Sequence, residues 1–286
     1  MSRPTDRVRG FVMPVVVLLA LVGGLVVGVA MERAAQRVVI TQEQLDAYSD
    51  SHRSFGIKSI IASWLRFSDD QDMNAMRGVR DADSNAEGVI FRTDPVNGID
   101  LSVSLQPWQG RLLIVGNGLP AEQAQQVQAM ADALRASVGN PERFQQITRR
   151  VGPPAIDAGR APPEVISIVA ATLLEDALLG SKYANELVRA RRSETVDRAL
   201  LLAAAERASL DEAQRSALEP WFTPDPVLWR CAAELTEQDT PGRAGDDKRT
   251  RYTGIVMTPD DALATSGAIS GHELFLTWER DPVRER

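Results

Sequence analysis

His52 and His272 are the only histidines in this chain and Cys231 is its only cysteine. The residue types that most often carry nucleophilic attack, proton shuttling or transition-metal ligation are therefore nearly missing. The two histidines fall in different predicted elements and in no spaced ligand pattern, which reads as surface or core histidine. No Gly-x-Ser-x-Gly, P-loop or dinucleotide fingerprint occurs. Oxygen ligands are better supplied. Asp69-Asp70-x-Asp72-x-Asn74 opens like a calcium loop, but Ala75 stands where that loop needs glycine, and its twelfth position is Asp81 rather than Glu. A solvated turn ending a long helix is the simpler reading. Asp246-Asp247 and Asp260-Asp261 read as exposed loop charges, and Val115-Gly-Asn-Gly-Leu-Pro120 as a structural glycine turn. No catalytic residue and no metal ligand is assigned, and the chain is not expected to be an enzyme.

The element that dominates the sequence is apolar. Residues 11–31 carry no charge and match the roughly 20 residues a helix needs to cross hydrocarbon. Arg3, Arg7 and Arg9 precede the run, so the short leader is expected in the cytoplasm and the C-terminal bulk on the other side; Arg33 and Arg37 weaken that bias. Three readings of the segment stay open: a permanent anchor, a cleaved leader followed by a retained helix, and a secretory signal peptide. Gly28-Val29-Ala30 suits a signal-peptide cleavage site, but the run exceeds the usual ~7–15-residue core. Ala20, Gly24 and Gly28 recur every four residues, which puts small side chains on one helical face and allows close helix packing.

Beyond Met31 the pattern stays helical to Phe67, with Ile57, Ile60, Ile61, Trp64 and Leu65 forming an amphipathic second half that can lie on a folded domain. Unbroken, residues 11–67 would span roughly 85 Å, with a bend expected at Ser49-Asp-Ser-His-Arg-Ser54. The period then changes to alternation. Gly88-Val-Ile-Phe-Arg-Thr93 and residues 99–105 form a hairpin, and Arg111-Leu-Leu-Ile-Val115 a third strand. Helical pattern fills residues 119–220, with starts at Pro120 and Pro162. One helix is predicted from Pro162 to Leu179, and others over 183–191, 195–207 and 210–218. Strand pattern returns at 227–235, 252–257 and 273–278, with a mobile loop over 236–250. Strands on both sides of a helical block predict an α+β fold: one antiparallel sheet with an α-helical insertion.

The net charge of −7 supplies no basic stripe for phosphates, so nucleic acid is not an expected partner. A lone cysteine cannot form an internal disulfide, so an exported domain would rest on its core. Lysine occurs only at Lys58, Lys182 and Lys248, and the remaining basic charge is arginine.

Two segments carry a family resemblance. Arg9-Gly10-Phe11, followed at once by the apolar run, resembles a prepilin leader, and Ile156-Asp-Ala-Gly-Arg-Ala-Pro-Pro-Glu-Val-Ile166 resembles a segment of the K-class minor pseudopilins of bacterial type II secretion. Ala161, Pro162, Pro163, Glu164 and Val165 match that segment directly. Asp157 and Gly159 stand where the family favours Asn, and Arg160 where it favours Thr. Most pilins carry Glu at the fifth mature position; here it is Val15, a departure shared by the K class and suited to a tip subunit.

The resemblance implies cleavage by prepilin peptidase between Gly10 and Phe11 and methylation of Phe11. It also implies a pilin-like fold, in which a long N-terminal helix packs on the sheet. The parts would be a leader (1–10), a transmembrane and stem helix (11–67), a first part of the sheet (68–118), the insertion (119–220) and a second part of the sheet (221–286). The implied protein is a non-catalytic assembly or tip subunit of the type II secretion pseudopilus. It would be single-pass in the inner membrane with a periplasmic C-terminal domain. Its partners would be other minor pseudopilins, the secretion machinery of the inner membrane, prepilin peptidase and membrane lipid. No cofactor is implied, although some members look like calcium binders, which admits calcium without locating ligands. A minor type IV pilin, and a signal-anchored periplasmic enzyme or binding module, remain as alternatives.

Overall fold

The computed structural model describes residues 12–67, 88–92, 99–237, 248–258 and 274–281. Gly10, Phe11, His272, the acidic segment from Asp69 to Asp81, and Asp246, Asp247, Asp260 and Asp261 lie outside the described residues. The chain divides into two units, Met1–Gly56 and Ile57–Arg286.

The first unit is helical wherever it is described. α1 spans Val12–Phe67 and its helical hydrogen bonding runs through residues 49–54, where the sequence predicted a bend. Just before and within that stretch Tyr48 sets its ring edge-on to His52 at 4.3 Å. Every described side chain from Met13 to Met31 is exposed. Among the described residues α1 is the one helix long and apolar enough to cross a membrane.

The second unit begins with the last turns of α1. It continues through β1 (Gly88–Arg92), β2 (Ile99–Pro107), β3 (Leu112–Leu113), α2 (Ala121–Val138), α3 (Pro141–Ile147), β4 (Thr148–Arg149) and β5 (Ile156–Asp157). Then come α4 (Pro163–Leu174), α5 (Ala177–Ala190), α6 (Arg198–Arg207), α7 (Glu212–Leu218), β6 (Phe222–Thr223), β7 (Leu228–Glu237), β8 (Lys248–Met257) and β9 (Phe275–Arg280). The main sheet has the order β1-β2-β7-β8-β9 and is antiparallel throughout. β2 and β7 are neighbours although residues 108–227 separate them, and Pro107 faces Trp229 where the chain leaves and returns. The fold is thus α+β, a sheet carrying an α-helical insertion between two adjacent strands.

Alternation explains how the sheet acquires its buried face. Leu101 pairs with Leu235, Val103 with Ala233 and Leu105 with Cys231, so one face of β2 and β7 is apolar position by position. Ile57, Ile61, Ala62 and Leu65 of α1 bury against these residues and Tyr252 of β8. The stem stripe is narrower than predicted: Ile60 is exposed and Trp64 only partly buried, because Ala62 takes a place on the buried face. Gly254 gives room for Trp278, since a Cβ there would come within 2.6 Å of the indole. Trp278 stacks on Tyr252 at 5.9 Å, closing the β8–β9 end of the core.

Three further sequence expectations change. The third strand does not join the main sheet: Leu112 and Leu113 pair in parallel with Thr148 and Arg149. Both leucines are buried in the core of the insertion, so the apolar run serves a different core from the one its hairpin-like position suggested. The helix predicted from Pro162 to Leu179 is two helices. Glu175 adopts φ +52°, and the Asp176 carboxylate accepts hydrogen bonds from the amides of Leu178 (2.8 Å) and Leu179 (3.0 Å), capping a new helix. Asp197 and Asp211 cap α6 and α7 in the same way, the latter in a reciprocal capping box with Gln214. β7 and β8 also extend to Glu237 and Lys248, into the stretch read as loop.

Candidate functional site

The side chains that could do chemistry are arginines, and the elements that position them surround the Ala-Pro-Pro-Glu-Val segment. Asp157 is buried on β5. Its Oδ1 accepts a 2.8 Å hydrogen bond from the Gly159 amide and its main-chain carbonyl accepts one from Ala161 at 2.9 Å. Aspartate therefore supplies the side-chain acceptor of this turn. Ala161 is buried and packs so close to Gly110 that a Cβ there would lie 3.1 Å from the Ala161 amide nitrogen. Pro162 caps α4 with extended geometry, Pro163 takes the first helical position, and Glu164 lies in the first turn, where the helix dipole favours it. Glu164 accepts from Nε of Arg143 at 3.1 Å, and Val165 enters the core of the insertion.

This turn forms one wall of a cavity of about 570 Å³ whose lining includes Arg111, Arg143, Arg160 and Arg191, with Pro162 and Pro163. Each arginine arrives by a different route. Arg111 follows β2 and lays its guanidinium on the Trp108 ring, 3.4 Å from the centroid; Arg230 approaches the same ring at 5.6 Å. Burial, with Arg230 as a like charge nearby, pushes Arg111 down to about 10. Arg160 lies 3.9 Å from Asp157. Arg191, past the end of α5, donates to the carbonyls of Ala161 (2.7 Å) and Ala158 (3.3 Å). Burial lowers its pKa and the charge of Asp157 opposes that shift. Four arginines thus line one cavity. Of its arginines the sequence singled out only Arg160, within the Ile156–Ile166 segment; Arg111, Arg143 and Arg191 lie far apart along the chain and belong to no motif.

Behind it, two buried polar side chains hold the junction between insertion and sheet. Gln109 accepts from the amides of Val227 (2.7 Å) and Leu228 (3.2 Å) and donates to the Ala155 carbonyl (3.1 Å). Arg149 donates to the carbonyls of Arg111 and Val151, both at 2.8 Å, of Ala155 at 3.1 Å, and of Pro153. Burial pushes Arg149 down to about 9, still charged at neutral pH; carbonyl oxygens rather than a carboxylate face its donors. Arg149→Lys keeps the charge but cannot span four carbonyls. A loss of about 2 kcal/mol in urea unfolding is expected, since at least two buried acceptors lose their donor.

A second cavity, of about 420 Å³, lies among α5, α6 and α7 and is lined by Tyr183, Val196, Leu201, Leu218 and Phe222, with charged residues also in its wall. Tyr183 meets Phe222 edge-on at 5.4 Å, and burial raises its pKa. Ala20, Gly24 and Gly28 lie on α1, exposed, and a Cβ built on either glycine meets nothing within 4 Å. His52 is exposed on α1. Among the described residues no three His, Cys, Asp or Glu side chains gather as a metal site.

No protein-family model matches this chain. No curated protein matches it either. Among solved structures, the chain is similar to one from the crystal structure of the GspK-GspI-GspJ complex of the enterotoxigenic Escherichia coli type 2 secretion system. The identity is 10% and the TM-score 0.41, with 86% of this chain and 100% of that chain covered.

Proposed function

We propose that this protein is a minor pseudopilin of the K class, a non-catalytic assembly or tip subunit of a type II secretion pseudopilus. The observation that carries the reading is α1. One helix is charge-free and exposed over residues 13–31 and, from Ile57, packs on an antiparallel sheet that carries a large helical insertion. The Gly10-Phe11 junction just ahead of it and the Ala161–Val165 turn support the same reading from sequence.

On this reading the protein waits in the inner membrane with its folded part in the periplasm. Prepilin peptidase removes residues 1–10, and Phe11 becomes the methylated N-terminus. The stem then leaves the bilayer to pack on other minor pseudopilins. Ala20, Gly24 and Gly28 let neighbouring stems approach closely, since a helix face without large side chains brings backbones together. Val15, in place of a membrane-buried carboxylate, spares the subunit a charge that would need a partner above it. The insertion is too bulky for a further subunit to stack on, which suits the tip. Neither catalysis nor a cofactor enters this role.

The test is the mass of the N-terminal peptide after co-expression with a prepilin peptidase. A peptide beginning at methylated Phe11 is expected. Peptides spanning Gly10 and Phe11 in peptidase-exposed protein would overturn the reading, and loss of residues 1–30 would favour a secretory signal peptide instead. Gly10→Val is expected to abolish maturation, leaving only full-length chain in the membrane fraction.

A further inference from the structure

We propose that the cavity walled by Arg111, Arg143, Arg160 and Arg191 binds an oxyanion, a phosphate or carboxylate group. In a chain of net charge −7 these four arginines line one cavity. Among the described residues Glu164 pairs with Arg143, and Asp157 serves Arg160 and Arg191, so four guanidinium groups meet two carboxylates there. The cavity has the size of small-molecule sites, about 300–1,000 Å³.

Arg111 is the residue through which the site is argued. Its guanidinium face lies on Trp108, and stacking leaves the N–H edge, where all its donors are. No carboxylate hydrogen-bonds or ion-pairs with it among the described residues, and a second cation, Arg230, sits on the same ring system. Burial and that like charge already disfavour its charged form, so an anion in the cavity would relieve a repulsion the fold otherwise carries. Arg191 is held in place by the carbonyls of Ala158 and Ala161. That anchoring lowers the ordering entropy lost on binding. Pro162 and Pro163 place the positive end of α4 at the same wall. The match of planar guanidinium forks to two-oxygen edges makes phosphate and carboxylate the groups of choice.

Trp108 reports on the site because an oxyanion drawn to Arg111 changes the cation over its ring. Full-length protein in detergent is titrated at constant ionic strength, balanced with chloride, with inorganic phosphate and separately with an end-blocked hexaglutamate peptide. Tryptophan emission and thermal midpoint are followed. A saturable emission change is expected that is lost in Trp108→Phe, together with a rise in midpoint. Arg111→Gln should weaken apparent affinity about tenfold or more while its midpoint without anion stays near that of the parent. Saturation by phosphate assigns the site to a free anion, and saturation by the peptide alone assigns it to a carboxylate on a protein. An equal response in Arg111→Gln, or no saturation with either probe, overturns the proposal. None of these outcomes depends on cleavage at Gly10, so the site and the pseudopilin reading stand or fall separately.

Discussion

Gln109→Leu is expected to cost about 3–5 kcal/mol, one buried and one half-buried amide each losing a partner at roughly 1–3 kcal/mol with the remainder from disturbed packing. The amides are those of Val227 and Leu228, where the chain re-enters the sheet, and Gln109 is only 2% exposed. Leucine fills the same volume, so the loss is one of hydrogen bonds rather than of space. The Ala155 carbonyl keeps Arg149 as a donor, so the damage falls on the return to β7. In thermal unfolding of the purified chain the midpoint should drop by roughly 6–20 °C, at about 2–4 °C per kcal/mol for a domain of this size. Gln125→Leu, at an exposed position of α2, should stay within about 0.5 kcal/mol. Equal midpoints for the two variants would show that Gln109 does not hold the junction. Combined with Arg149→Lys, the losses should exceed their sum, because the Ala155 carbonyl then loses one donor outright and keeps a poorer one.

Gly180→Ala should destabilise by about 2–3 kcal/mol and Gly180→Val by more, against the usual trend for glycine within a helix. At a solvent-facing site, alanine would gain about 1 kcal/mol over glycine. Gly180 is buried in α5, however, and a Cβ there would come within 2.6 Å of the Ala171 Cα and 2.8 Å of its Cβ, on α4. Steric overlap with a neighbouring backbone outweighs the gain in propensity, because helices packed at a glycine cannot separate without opening the core behind them. That core includes Val165, Val169, Tyr183 and Leu187. Ala171→Gly removes only the methyl part of the clash, so the Gly180→Ala/Ala171→Gly double variant should recover some but not all of the loss in calorimetry. Full recovery would place the strain in side chains rather than in the backbone. A stabilised Gly180→Ala would mean that α4 and α5 do not meet at this glycine.

What was readable in advance follows from how local each signal is. The period-2 pattern of β2 and the strand-like run of β7 predicted strands whose apolar positions then met in register, Leu101 with Leu235 and Val103 with Ala233, because the alternation of side chains along a strand decides which face is buried. The Pro162-Pro163-Glu164 start of α4 was equally legible, since proline geometry and the helix dipole act over a few residues. The same reasoning failed at Glu175, where a non-glycine residue adopts positive φ. There the packing of α5 back onto α4 overrides a continuous helical pattern. It also misassigned Leu112 and Leu113, because a two-residue parallel pairing depends on a partner more than thirty positions away.

The sequence by itself determined the charge-free helix, the α+β class and the poverty of catalytic side chains, all properties of composition and short-range periodicity. Only the tertiary structure decided that β2 and β7 are neighbours, that Gln109 and Arg149 hold the seam between them and the insertion, and that four scattered arginines share one cavity. Those are long-range juxtapositions. They are set by which buried polar groups find partners and which apolar faces close on each other, and no spacing along the chain encodes them.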